Sequence, residues 1–191
     1  MTLGTAAPLL TGLRAAADIA GELGQGPSAA QWARAATRLA GGIAAGFGRH
    51  GYHRLPSADS GDDAAVTFLG PPFAAAGPAV VSAIMDTERS LRLPNGGMLP
   101  GSDWPGNRTA AWTAETAFFA LFNAETGHER TATQMLTWFA AHTTRLGTLP
   151  EKVDARGQPV SAAPLAWTDA AILLTLVARA HPLPGPPVPA G

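Results

Sequence analysis

The feature that most constrains this chain is a succession of segments with apolar residues at helical spacing, separated by glycine and proline stops. From about Pro8 to Leu23, the residues Leu9, Leu10, Leu13, Ala16, Ala17, Ala20 and Leu23 fall on one side of a 3.6-residue helix. Pro8 suits a first turn, and Gly24 with Gly26 supplies a stop. Ser28 is placed to cap a second helix running through Trp32, Ala36, Leu39 and Ile43 to about Phe47. The short Gly24–Pro27 link makes these two helices antiparallel neighbours.

The same grammar repeats downstream. Residues 48–62 read as a polar loop with a short extended piece around Tyr52–Leu55, followed by an apolar segment, Ala64–Leu69, that ends at Gly70-Pro71-Pro72. Pro78 opens a helix to about Leu91, and a long Gly/Pro-rich loop occupies Arg92–Arg108. The strongest pair comes next: Thr109–Thr126, stopped by Gly127, and Glu129–Arg145, stopped by Gly147. A loop, Thr148–Ala162, leads to a last apolar helix from about Pro164 to Ala180. The aromatic residues on these helices, Trp32, Trp112, Phe118, Phe119, Trp138 and Phe139, are read as core. The pattern predicts an all-α chain of about seven helices in antiparallel hairpins over residues 1–180, with minimal strand. A tail over 181–191, with five prolines in eleven residues, reads as a mobile, polyproline-like end.

Composition narrows function by exclusion. The chain is 46% hydrophobic and 14% charged, with a net charge of −1 and its 13 basic residues scattered singly, so nothing resembles a surface for nucleic acid. The apolar runs are too short and interrupted to span a bilayer, and no secretory leader is legible, which makes a cytoplasmic location the expectation. With no cysteine, disulfides, thiolate nucleophiles and Cys-ligated metals are excluded. No cofactor motif is present: His50 and His53 lack a second ligand motif, Asp62-Asp63 reads first as a helix cap, and no serine lies in a nucleophile elbow.

The informative loop is Leu149-Pro150-Glu151-Lys152-Val153-Asp154, then Gly157, then Pro164-Leu165-Ala166-Trp167-Thr168. It sets a carboxylate on a stiff loop after a helix and an aromatic at the start of the next. A carboxylate beside apolar surface can hold and deprotonate a water, as a general base must. From spacing alone, a solvated loop glutamate is the simpler reading.

These residues resemble the C-terminal signature of glycoside hydrolase family 15, the glucoamylases, glucodextranases and related trehalases. That signature has the form Leu-Pro-Glu-(Gln or Lys)-Val-Asp, a Gly turn, then Pro-Leu-(Ala or Thr)-Trp-(Ser or Thr). More weakly, Trp112–Leu121 with Gly127, and Met135-Leu136-Thr137-Trp138, resemble the preceding hairpin, and Asp63-Ala64-Ala65 an earlier segment of that family. The resemblance implies part of an (α/α)6 toroid, specifically its C-terminal half over about residues 8–180. It also implies inverting hydrolysis of an α-glucan or glucoside, with Glu151 as general base and Trp167 as a wall of the sugar pocket.

The departures are equally specific. The general acid of that family lies in a Trp-Glu-Glu type motif, and no Trp-Glu pair occurs here. Its Arg-Tyr segment is replaced by Leu99-Pro100-Gly101-Ser102-Asp103-Trp104-Pro105. Asp103, Trp104 and Arg108 could line a pocket, although ordinary loop packing is the simpler reading of each. The chain therefore reads as a C-terminal piece or a truncated member without its acid. Half a toroid should leave apolar faces uncovered, pointing to an N-terminal half-barrel partner, self-association or marginal stability. The alternative is a helical-hairpin binding scaffold that performs no hydrolysis.

Overall fold

The computed structural model describes residues 1–187. Six α-helices, two 3-10 segments and three two-residue strands form two compact units, Met1–Ile84 with the stretch from Pro184, and Met85–Leu183. The boundary falls inside α3 (Pro78–Leu91). The chain is all-α and built of helical hairpins, as its periodicity predicts. No described helix is long and apolar enough to cross a membrane.

In the first unit, α1 (Leu3–Glu22) packs on α2 (Gly26–Gly46) and on the 3-10 segment Ala64–Leu69. Its buried residues, Leu3, Ala6, Ala7, Leu10, Ala17 and Ala20, are mostly alanine, which lets the two helices approach closely. Helix α1 begins five residues before Pro8, which lies inside it. Proline there lacks the N–H that would bond to residue 4, but burial of Leu3, Ala6 and Ala7 on the turn before it keeps that turn helical. Nor is Ser28 the cap of α2: the helix starts at Gly26, with Gln25 preceding it and Pro27 in its first turn. Trp32 is 36% exposed rather than core.

The loop that follows α2 is turns and a 3-10 segment, Gly48–His50, rather than an extended piece. Tyr52 there has left-handed backbone, with φ 61°. Asp63 accepts from Ala65 N at 2.9 Å, capping the Ala64–Leu69 segment, and pairs with Arg54 at 3.1 Å. His53 lies 3.6 Å from Asp62. Among the described residues, no three His, Asp or Glu side chains are grouped to hold a metal.

In the second unit, α4 (Thr113–Glu125) is the central helix, packed against α5 (Glu129–Ala141) and α6 (Ala166–Ala180). It is buried almost all round, from Thr113 through Ala124 with Glu115 the exception, and so has little amphipathic asymmetry. Helix α4 starts four residues later than its apolar pattern suggests, because Ala111–Trp112 form a strand, β1. Helix α5 ends four residues short of Arg145: Thr144 Oγ1 accepts from Leu146 and Thr148 N–H groups at 3.3 Å, turning the chain away. Helix α6 presents small residues, Thr168, Ala171, Thr175 and Ala178, to the interior, while Leu173, Leu174, Leu176 and Val177 stay exposed.

Beyond α6, Leu183 N–H donates to Glu125 Oε1 at 2.9 Å. A Cβ on Gly185 would lie 2.7 Å from the Pro72 carbonyl oxygen, so the chain passes tightly there. Leu183 and Gly185 of the expected tail thus meet other parts of the chain, and residues 188–191 lie outside the described residues.

Candidate active site

The loop between α5 and α6 is fixed from within by its own sequence. Asp154 Oδ1 accepts from Arg156 N at 2.9 Å and Gln158 N at 2.8 Å, and Gly157 takes the left-handed conformation at φ 77° that closes the turn. The turn joins β2 (Lys152–Val153) to β3 (Pro159–Val160) as an antiparallel pair. Strand β2 also pairs with β1, with Trp112 opposite Lys152 and Ala111 opposite Val153, giving a sheet of order β1-β2-β3. The Gly/Pro-rich loop joins the same frame: Trp112 N donates to the Met98 carbonyl at 2.8 Å, and Asn95 Nδ2 to the Asp154 carbonyl at 3.0 Å.

Glu151 stands at the end of this ladder. Its N–H donates to the Ala162 carbonyl at 2.7 Å, and its own carbonyl accepts from Thr113 N at 3.0 Å. Thr113 Oγ1, fully buried, donates to the Pro150 carbonyl at 2.6 Å and lies 2.7 Å from Thr168 Oγ1. Two buried hydroxyls therefore hold the N-termini of α4 and α6 against the peptide that carries the glutamate. Replacing Thr113 by Val leaves that carbonyl and the Thr168 hydroxyl short of a partner at positions buried from solvent. We expect Thr113→Val to lower unfolding free energy by about 1–3 kcal/mol, measured by urea titration.

The Glu151 side chain is 28% exposed. Ser161 Oγ donates to its Oε2, and Lys152 Nζ lies 3.6 Å from the same oxygen. Both contacts fall on Oε2. Ser161 holds a left-handed backbone, φ 70°, an uncommon conformation for a residue with a Cβ. Lys152 Nζ sits 4.0 Å from the Trp112 ring centroid, and Trp104 meets Trp112 edge-on with centroids 5.8 Å apart. A carboxylate, an ammonium and two indoles are thus linked contact by contact, a set suited to polar hydroxyls with an apolar ring face.

The residues singled out in the sequence divide. Glu151 and Trp104 belong to this linked set. Trp167 opens α6 with its ring edge-on to Phe118, centroids 5.3 Å apart, and is 59% exposed. Asp103 is exposed on the loop. Arg108 donates to the Ser102 carbonyl and lines a hollow of about 160 Å³ with Leu93, Pro94, Asn95, Thr109 and Ala155. Neither Glu151 nor Trp167 lines that hollow. Lys152 and Trp112 are the site residues that sequence reasoning passed over, the first as a variable signature position and the second as core. Ser161 carried no signal, since its contact depends on a backbone conformation that composition does not reveal.

No family model and no curated protein matches the chain. Solved structures do: a glycosidase in its wild-type form superposes with a TM-score of 0.78 at 21% identity, over 94% of this chain and 52% of that one. A variant glycosidase in complex with glucose matches with a TM-score of 0.78 at 20% identity, over the same shares. The fold is therefore that of about half of these glycosidases. The chain spans about half the length of the structures that it matches.

Proposed function

We propose that this chain is the base-bearing half of a glucoamylase-type glycoside hydrolase, acting with inversion on α-glucosidic bonds. The observation that carries the reading is the fixing of Glu151: backbone pinned by Thr113 and Ala162, Oε2 engaged by Ser161 and Lys152. In this reading Oε1 takes the proton of a water as that water attacks the anomeric carbon. A second carboxyl, about 6.5–9.5 Å away across the bond, protonates the leaving oxygen. Trp104, Trp112 and Trp167 supply ring faces and edges for the sugar.

The (α/α)6 toroid is completed by a complementary half-domain that brings the general acid. Support for a missing cover comes from α6, whose large aliphatic residues lie outside: Leu173 is 63% exposed and Leu176 49%. Such a surface is costly to leave in water. Glucose held by one matching glycosidase supports a glucoside as the substrate class.

The test is release of glucose from maltose, isomaltose and trehalose by the chain alone and mixed with an acid-bearing N-terminal half-domain. The mixture is expected to hydrolyse at least one of the three, and the chain alone to be slower by about 10²–10⁴-fold, the usual contribution of acid assistance. Glucose release from none of them in either sample would leave the binding-scaffold reading in its place.

A further inference from the structure

The first unit holds a cleft that the hydrolase reading does not use. Between α1 and α2 lies an open cavity of about 310 Å³, walled by Ala17, Ala29, Ala30, Ala33 and Pro187, with Arg14 and Asp18 as its charged residues. Arg14 also borders a smaller hollow of about 130 Å³. Its Nε is buried and meets no hydrogen-bond partner among the described residues. Burial pulls the guanidinium pKa below its ordinary value through desolvation, yet arginine does not escape the cost by shedding its proton.

The obvious relief would be Asp18, one turn further along α1. The two residues form no ion pair in the described structure, whereas Arg92 and Glu88, also four apart, do. Opposite charges thus border one alanine-walled cleft without quenching each other. Residues four apart lie on one face of a helix, so both side chains serve the same cleft. A lone anion would meet Asp18 and a lone cation would meet Arg14, so a ligand with one charge satisfies only half of the cleft.

We infer that this cleft binds a small zwitterion with an apolar body, an α-amino acid of leucine size, with its carboxylate on Arg14 and its ammonium on Asp18. The volume lies at the lower end of the range for small-molecule sites, about 300–1,000 Å³. The alanine walls provide the apolar contact, and the inference stands independently of the hydrolase reading.

Calorimetric titration of the full chain with L-leucine tests it, beside 4-methylpentanoate and 3-methylbutylamine, which each delete one charge. Leucine is expected to bind saturably with one site, and each single-charge analogue at least about tenfold more weakly. Arg14→Met should abolish binding. Ala33→Leu, which fills the cleft while keeping both charges, should do the same with melting temperature and helical signal retained. Absence of saturable leucine binding to the wild-type chain would overturn the inference. Equal binding of 4-methylpentanoate would overturn it in favour of a simple anion site, and leucine binding unchanged in Ala33→Leu would place the ligand elsewhere.

Discussion

Glu151→Gln, in a domain reconstituted with the proposed acid-bearing half, is expected to lower kcat for glucoside hydrolysis by about 10²–10⁴-fold. The substitution is nearly isosteric and leaves the backbone bonds to Ala162 and Thr113 in place. Ser161 can still donate to the amide oxygen. What is lost on folding is a partly exposed ion pair with Lys152, worth no more than about 1 kcal/mol. The chemistry loses far more, because an amide does not accept the proton of the attacking water. KM should change little, since the proton leaves only in the transition state. A kcat within about threefold of the parent, with the fold retained, would remove Glu151 from the reaction and favour the scaffold.

The largest effect on stability is expected at Gly97, which needs the absence of a side chain for space and not for its backbone angle. A Cβ there would lie 2.5 Å from the Ala111 Cβ and 2.6 Å from Cζ2 of Trp138. Neither neighbour has freedom to yield. Ala111 is the β1 residue paired with Val153, and Trp138 is anchored by its Nε1 to the Asn95 carbonyl at 2.7 Å and stacked near His142. Gly97→Ala should therefore cost about 3 kcal/mol, the upper end for overpacking, and lower Tm by roughly 6–12 °C for a chain of this size. Gly12→Ala is the matched control. Gly12 is exposed on α1 with nothing within 4 Å of its would-be Cβ, so alanine there should raise stability by about 0.5–1 kcal/mol. Equal melting temperatures for the two variants would show that the Met98 loop is not packed as described.

Helix identity was written plainly in the chain, because apolar spacing and Gly/Pro punctuation act over several turns. Pro78 opens α3 and Leu91 closes it as expected, and Gly127 ends α4. Boundaries failed where a local signal was overruled by packing. Pro8 looks like a first turn, yet the buried Leu3, Ala6 and Ala7 extend α1 past it. Trp112 matches the helical period, yet the pairing of Ala111–Trp112 with Lys152–Val153 claims it for a strand. Two residues are too few to show a period of two, so such a strand has no sequence signature of its own.

The site divides in the same way. Glu151, Asp154, Gly157 and Thr168 stand in a recognisable order, and the structure gives each a definite task on one loop. Asp154 and Gly157 shape the turn, Thr168 bonds the Thr113 hydroxyl that grips the Pro150 carbonyl, and Glu151 stands on the peptide so held. The contacts that orient the carboxylate were not legible. Ser161 reaches it through a left-handed backbone, and Trp112 reaches Lys152 through strand register, both products of the folded chain. Uncovered apolar faces were expected from the resemblance to half a toroid, but that they fall on the large aliphatic residues of α6 was not legible, because periodicity ranks faces and does not say which neighbours are present.

The three-strand ladder has a consequence for how a lineage built on this frame can diversify. Side chains along a strand alternate in direction, so losing or gaining one residue between Asp154 and Gln158 would break the register of Lys152 with Val160 and turn Ser161 away from the glutamate. The stretch from Ser102 to Thr109 contributes no strand to that ladder and is part-exposed or exposed throughout. Length variation among descendants should therefore accumulate between Ser102 and Thr109, while the span from Glu151 to Val160 stays constant in length.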